Sequence, residues 1–175
     1  MKHAKKLLAA LLALAMMLAM AVPAFADDAV QKGTIQIDDA IPGSSYTAYK
    51  IFDLSYTPKD GDKAASYSYT VANGWADFVS GAGAQYVEIK GGNVVAKDGF
   101  ESNTEAAAAF AKAALAYAEE NLKGKGVSQT APAAAEGSEH SSVRITNLDL
   151  GYYVVSTSAG SLCSLGTTSY TATIE

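Results

Sequence analysis

The sequence predicts a mainly β protein: an antiparallel, immunoglobulin-like β-sandwich with Greek-key connections and one inserted Ala-rich helix. Short segments rich in aromatic and β-branched residues lie towards both ends of the chain, separated by turn residues, which is typical of strands in such a sandwich. The one clear helical pattern comes late, between residues 103 and 123. Because this order does not fit a repeating β-α-β arrangement, we expect two packed sheets with the helix lying across one of them.

The first 26 residues are predicted to be a secretory signal peptide. Its basic start, apolar stretch and cleavage site are Lys2, Lys5 and Lys6, then residues 7–22, then Ala24-Phe25-Ala26. A retained membrane anchor is the alternative, because the apolar stretch is nearly long enough to span a bilayer. Pro23 and the acidic pair that begins at Asp27 favour cleavage, so we expect an exported protein that starts at Asp27.

Residues 27–175 are predicted to form a single domain of 149 residues, which is large enough for its own hydrophobic core. Its formal net charge is −8, because three of the 13 basic residues and none of the 18 acidic residues precede Asp27. An acidic surface without a Lys/Arg cluster argues against nucleic acid or anionic membranes as partners. No second apolar segment is long enough to span a membrane, so no span is expected after cleavage.

The first half of the domain is predicted to contain strands and one hairpin. The predicted strands are residues 34–37, 46–54 and 66–71, followed by 85–90 and 94–97 as the hairpin around Gly91-Gly92-Asn93. The second strand carries apolar residues on both faces, so we expect it to be central in its sheet. Asn73-Gly74 is predicted to be a turn, and residues 75–79 have the spacing of one helical turn.

The helix is predicted over residues 103–123, which are rich in Ala, the strongest helix former. Ser102 and Glu105 form a capping box at its start, and Gly124 ends it. Its apolar stripe consists of Phe110, Ala114, Tyr117, Ala118 and Leu122. This stripe should face a sheet, with the small Ala side chains permitting close approach.

The C-terminal part is predicted to be a surface loop followed by strands. Residues 127–138 are expected to form the loop, because Pro132 interrupts an Ala run. The following strands are predicted at 143–147, 152–157 and 170–174. The chain has 10 Tyr, mostly within predicted strands, and we expect these to pack across strands, with Tyr152 and Tyr153 on opposite faces. Ligand binding by surface Tyr is the alternative.

The sequence contains no pattern that predicts catalysis, a metal site or a cofactor. His140 lies in a polar loop beside Ser138, where nothing in the sequence predicts burial or orientation for a Ser-His pair. The acidic pairs at Asp38 and Asp60 lack the spacing of a calcium loop. Cys163 is the one cysteine and has apolar neighbours, which predicts a buried, unreactive thiol. We therefore expect a protein that is not an enzyme.

Two segments about a hundred residues apart carry a resemblance to a known family. The first is Tyr46-Thr47-Ala48-Tyr49-Lys50-Ile51-Phe52-Asp53, and the second is the run from Leu148 to Val155 with Ser161 to Leu165 after it. They resemble strands of the N-terminal domain of major pilin (fimbrial backbone) subunits from Gram-positive bacteria. The positions that carry this resemblance are Tyr46, Tyr49, Lys50, Phe52, Trp75, Leu150, Gly151 and Tyr153.

The resemblance implies a structural subunit of a cell-surface pilus that a sortase assembles covalently, with other pilin subunits and the sortase as partners. It also implies a cell-wall location, a C-terminal Leu-Pro-x-Thr-Gly signal and a linking lysine. Neither the signal nor the lysine motif occurs up to Glu175, so we expect a fragment whose linking lysine lies beyond Glu175. The alternative is a stand-alone secreted, adhesin-like module that binds a matrix protein or glycan through loops such as residues 57–65.

Later domains of this pilin family often contain a Lys-Asn or Lys-Asp isopeptide bond that a buried acid promotes. The acid commonly ends a Gly-x-Tyr-x-x-x-Glu pattern. Gly151 and Tyr153 match that pattern here, but Thr157 stands where the Glu is expected. The first strand offers Gln36 and Asp38 where such a bond needs a lysine, and Lys32, although close, precedes this strand. We therefore predict no internal isopeptide bond.

Overall fold

The structure is a computed structural model that describes residues 31–57, 66–100, 104–157, 161–166 and 169–174. The strands in these ranges are β1 (Lys32–Ala40), β2 (Ser45–Thr57), β3 (Ser66–Val71), β4 (Val87–Lys90), β5 (Asn93–Ala96), β6 (Val127–Thr130), β7 (Ser141–Asp149), β8 (Gly151–Val155), β9 (Ser161–Leu165) and β10 (Thr171–Ile174). The helices are α1 (Ala76–Ser80) and α2 (Thr104–Asn121), with a short 3₁₀ turn at Ala82–Gln85. The domain is mainly β, as the sequence predicts.

The strands form two main sheets and a separate hairpin. Sheet I has the order β10-β1-β7, and sheet II has the order β3-β2-β8-β9, with β6 also paired to β2. Strands β4 and β5 form the predicted hairpin. All pairings are antiparallel except β1 with β10, which run parallel. Because β10 follows a strand of the other sheet, no tight hairpin imposes an antiparallel pairing on it.

Sheet II is the middle of three layers, with sheet I on one face and the helices on the other. The core between the sheets includes Ile35, Ile145, Leu148, Tyr153 and Val155, all at most 3% exposed. The second core joins sheet II to the helices and includes Phe52, Val154, Trp75, Phe78 and Phe110. A strand covered on both faces must be apolar on both faces, which explains the composition of β2 and confirms its predicted central position.

Helix α2 lies against sheet II through its predicted stripe. Phe110, Ala114 and Ala118 are fully buried, and Leu122 is almost so. Ser102 of the predicted capping box lies outside the described residues. After the helix, Gly124 adopts a left-handed conformation with φ of 75°, and the Lys125 N–H donates to the Leu122 carbonyl at 3.0 Å. This is the glycine-dependent end that the sequence predicts.

Two bulges set which residues enter the cores. In β2 the register shifts between Lys50 and Phe52, so Ile51 and Phe52 both reach the helix-side core. In β7 one extra residue lies between the pairs formed by Ile145 and Leu148. Asn147, in this extra stretch, has φ of 61°. The shift allows Ile145 and Leu148, three residues apart, to enter the same core.

The prediction of a loop over residues 127–138 is partly wrong, because the first four of these residues form β6. This strand pairs with β2 from Ser45 to Ala48, a stretch that β3 leaves unpaired because β3 pairs only from Phe52 onwards. All four residues of β6 are exposed. An exposed edge strand has no buried face, so it lacks the alternating pattern by which strands are recognised.

Candidate functional site

The two segments that carry the family resemblance lie side by side in the structure. They are β2 and β8, which pair antiparallel in sheet II. Lys50 lies opposite Tyr153, Phe52 opposite Tyr152, and Asp53 opposite Gly151. The ring centroids of Phe52 and Tyr152 are 5.9 Å apart. Segments separated by about a hundred residues therefore form one continuous structural unit at the centre of the domain.

Gly151 is required by the close approach of β2. A Cβ atom at this position would lie 2.4 Å from the backbone oxygen of Phe52 and 3.1 Å from Cδ of Lys50. Its nearest contact is a backbone atom, so a side chain cannot be accommodated by a rotamer change. The glycine allows β8 to begin directly against β2 after the chain crosses from sheet I.

Tyr153 stabilises the crossing from β7 to β8 on the side that faces the core. It is 3% exposed, and its hydroxyl donates to the Asp149 carbonyl at 2.6 Å. A Tyr near the start of a strand that bonds back to the preceding corner is the tyrosine corner of immunoglobulin-like sandwiches. Desolvation by burial, with smaller effects of Asp149 and Cys163, raises the pKa of Tyr153, so the hydroxyl stays protonated and remains a donor.

Four further positions of the family resemblance are also buried in a core or packed against one. Tyr46 is buried between the sheets, and its hydroxyl accepts a hydrogen bond from the Ile41 N–H at 2.8 Å. Leu150 packs against the same core. Trp75 is 1% exposed on the helix side, with its ring centroid 5.5 Å from that of Tyr117. Tyr49 is half-buried and packs against the helix-side core.

A cluster of two lysines and two aspartates lies where β1, β2 and β7 meet. Lys32 Nζ is 2.5 Å from Asp149 Oδ1, and Lys50 Nζ is 2.6 Å from Asp53 Oδ1 and 3.3 Å from Asp149 Oδ2. Burial alone would lower the pKa of Lys50, but hydrogen bonds and charge attraction from Asp53 and Asp149 raise it. The hydrogen bond from Lys32, together with Lys50, lowers the pKa of Asp149 despite its partial burial.

The exposure of this cluster bears on the isopeptide prediction. The side chains of Lys32, Lys50 and Asp149 are 41%, 25% and 52% exposed, so none of these groups is fully desolvated. Amide formation requires a desolvated, neutral amine beside a carboxyl group. At Thr157 the hydroxyl lies 3.0 Å from the Ser161 hydroxyl, and no acid occupies this position. The absence of an internal isopeptide bond stays a prediction, and this geometry supports it.

The other candidate polar groups, Ser138 and Asp38, form hydrogen bonds within the domain. The Ser138 hydroxyl donates to the His140 backbone carbonyl at 2.8 Å, so it bonds to the main chain of His140. Asp38 accepts hydrogen bonds from Gln36 and Ser142. Among the described residues, no group of three or more His, Cys, Asp or Glu side chains is placed to hold a metal ion. Asp60 lies outside these residues.

Cys163 lies in β9 opposite Tyr153 and packs against the core between the sheets. Burial raises the pKa of its thiol to about 12. A thiol with this pKa holds almost no thiolate at neutral pH, and the thiolate is the reactive form. The residue is half-buried rather than fully buried, so the predicted burial holds only in part, and the raised pKa agrees with an unreactive thiol.

Several predicted positions cannot be located in the structure. The cleavage residues Ala24, Ala26 and Asp27 lie outside the described residues, as does all of the proposed binding loop after Thr57. Sequence reasoning placed Asn73 in a turn but did not predict that it shares the rim of one pocket with Lys125. Each follows or precedes a turn glycine, but no sequence pattern indicates that residues 52 positions apart come together.

Comparison with known proteins identifies no family for this chain. No protein-family model matches the chain, and no curated protein matches it significantly. In the part of the chain that the structure describes, no helix combines the length and apolar character needed to cross a bilayer. The described geometry is that of a β-sandwich whose family resemblance is concentrated in the β2–β8 pair.

Proposed function

We propose that this chain is the leading domain of a pilus backbone subunit that a sortase assembles covalently on the surface of a Gram-positive bacterium. The observation that supports the proposal best is the pairing of β2 with β8, the two segments that resemble the pilin family. This pairing supports the proposal because it brings both segments into adjacent strands, where Gly151 and Tyr153 hold structural positions.

The proposed role is structural, without catalysis or a cofactor. A subunit of an extracellular fibre must stay folded outside the cell, and the two hydrophobic cores on the faces of sheet II would serve that requirement. Cys163 is the one cysteine of the chain, so no internal disulfide contributes. The proposed partners are other pilin subunits and the sortase, and the proposed location is the cell wall after export through the predicted signal peptide.

An immunoblot of the producing bacterium tests this proposal. Antibodies against the purified chain should detect a ladder of high-mass species in cell-wall extracts that have been boiled in detergent, because amide links between subunits survive that treatment. Disruption of the sortase gene should reduce the ladder to one band. The reading frame downstream of Glu175 should encode further strand-rich domains and a Leu-Pro-x-Thr-Gly motif. A single band in both strains would contradict the proposal.

A second candidate function is an adhesin-like module that binds a glycan or a matrix protein. The observation in its favour is a surface pocket of about 210 Å³ bordered by Tyr49, Lys50 and Trp75. The two functions are compatible, since a fibre subunit can also carry a binding site. They are separated by the immunoblot, which reports assembly, and by ligand titration of the purified chain, which reports binding.

A further inference from the structure

The pocket lies where β2 meets the β3–α1 turn and the end of α2. Its floor is formed by Ala72, Trp75 and Leu122, which are 5%, 1% and 4% exposed. Little of each residue is exposed, so the base of the shallow opening is a small, mainly apolar surface. Its volume of about 210 Å³ is below the roughly 300–1,000 Å³ of sites for drug-sized ligands. The pocket therefore has room for about one small ring.

The mouth of the pocket is held in place by contacts between the turn and the helix. The Tyr117 hydroxyl donates to the Gly74 carbonyl at 2.9 Å. Gly74 has φ of 88°, and a Cβ atom there would lie 2.7 Å from Cδ2 of Leu122. The turn consequently packs directly on the last turn of α2. Asn73 and Lys125 are thereby presented at the same opening.

The polar groups on the rim differ in whether they already have partners. Lys50 is engaged with Asp53 and Asp149. Among the described residues, the Lys125 ammonium, the Asn73 amide and the Tyr49 hydroxyl make no side-chain hydrogen bond or ion pair. One cation and two hydrogen-bonding groups therefore surround the apolar floor and remain available to a ligand. The Asp53 carboxylate, 43% exposed, adds an acceptor.

We propose that this pocket binds a single pyranose ring that carries a carboxylate group. One face of a pyranose presents C–H groups, which suit the floor formed by Ala72, Trp75 and Leu122. Its hydroxyls can donate to Asp53 and exchange hydrogen bonds with Asn73. The carboxylate pairs with Lys125, whose ammonium group forms no ion pair with a carboxylate of the described residues. A neutral sugar would leave this cation without a partner, and a small carboxylate without a ring would leave the floor uncovered.

The proposal deepens the second candidate function, ligand binding at this pocket, and rests on it, whereas it does not depend on the pilus role. Covalent assembly requires segments beyond this domain, whereas the pocket is complete within it. The absence of a ladder on the immunoblot would not contradict sugar binding at the pocket, and the absence of sugar binding would not contradict covalent assembly. The two proposals therefore fail in different experiments.

The test is a titration of the purified chain with glucuronic acid, glucose and acetate. Trp75 is the one tryptophan of the chain, so intrinsic fluorescence reports directly on the pocket floor. Glucuronic acid should give a saturable change with Kd on the order of 1 mM. Glucose should bind at least tenfold more weakly, and acetate should cause no saturable change. Equal binding of glucose or acetate, or no saturation at ten times that concentration, would overturn the proposal.

Matched lysine variants locate the site. Lys125→Met should weaken glucuronic acid binding at least tenfold, because it removes the cation while keeping the length of the side chain. Lys123→Met is the control, since Lys123 is also exposed near the end of α2 but does not line the pocket. Both positions are exposed, so both variants should fold. Equal weakening in the two variants, or no weakening in Lys125→Met, would refute the assignment.

Two further ligands distinguish where such a sugar comes from. N-acetylneuraminic acid represents the ends of animal glycans, and N-acetylmuramic acid represents bacterial cell wall. The tighter of the two identifies the source, provided that its binding shows the same dependence on Lys125. Binding of either acid that is unaffected by Lys125→Met would contradict the proposed contact.

Discussion

Substitution of Gly151 by Ala tests whether the approach of β8 to β2 is as close as the structure has it. The new Cβ would lie 2.4 Å from the Phe52 backbone oxygen, about 1 Å inside the 3.4 Å at which ordinary contact begins. Since a backbone atom cannot rotate away, the two strands must separate. Overpacking of this kind costs about 1–3 kcal/mol. For a domain of this size, that corresponds to a fall in Tm of about 2–12 °C.

Thermal unfolding followed by circular dichroism measures this cost. Gly166→Ala is the matched control, because a Cβ atom there has no heavy atom of the described residues within 4 Å. We expect Gly166→Ala to stay within about 0.5 kcal/mol of the parent, as surface substitutions usually do. Equal midpoints for the two variants would refute the close approach, and with it the structural reason for a glycine in the family resemblance.

Three further predictions concern the same corner of the domain. Tyr153→Phe removes the hydrogen bond to the Asp149 carbonyl and should lower the free energy of unfolding in urea by about 0.5–1.5 kcal/mol. Tyr170→Phe is the control and should leave this free energy unchanged, because Tyr170 is 39% exposed. Equal losses would contradict the buried hydrogen bond. Asn147→Val should lower the free energy of unfolding by about 1–2 kcal/mol, because φ is 61° at this residue. Asn147→Gly should not lower it. An unchanged free energy of unfolding for Asn147→Val in the same assay would contradict the bulge. The folded pKa of Asp149 is lowered, mainly by Lys32, so its stabilisation is present above the unfolded pKa of about 3.9 and is lost as the pH falls through the folded value. Asp149→Asn should therefore flatten the loss of stability below about pH 4, by less than about 1 kcal/mol because the pair is largely exposed; an unchanged acid limb in urea titrations would contradict this.

The fold could be predicted well where burial leaves a pattern in the sequence. The stripe of α2 faces sheet II as predicted, and β2, which is apolar on both faces, is central. Strand β3 also has its predicted bounds, Ser66–Val71, because its sequence alternates, although none of its residues is fully buried. Strand β6 could not be predicted, because it has no buried face and is held by backbone pairing to β2. The parallel pairing of β1 with β10 was also missed, since each strand alone is compatible with either direction.

The candidate site divides in the same way. The residues of the family resemblance could be identified in advance because they lie in two continuous segments. Their roles could not, because the close contact at Gly151 and the hydrogen bond of Tyr153 are properties of the assembled corner. The pocket was not predicted at all. Its polar rim comes from Asn73 and Lys125, whose proximity depends on the packing of a turn against the end of a helix.

The parallel pairing of the first and last strands has a mechanical consequence. Thr34 lies opposite Thr171, and Ile37 opposite Ile174, so the start of β1 and the end of β10 point in opposite directions along a shared axis. A pull applied at those two points would act along both strands and shear their hydrogen bonds together. Strands pulled apart from one end would instead break one pair after another, at lower force. The topology thus loads the hydrogen bonds between β1 and β10 in shear when the domain is extended between these two points.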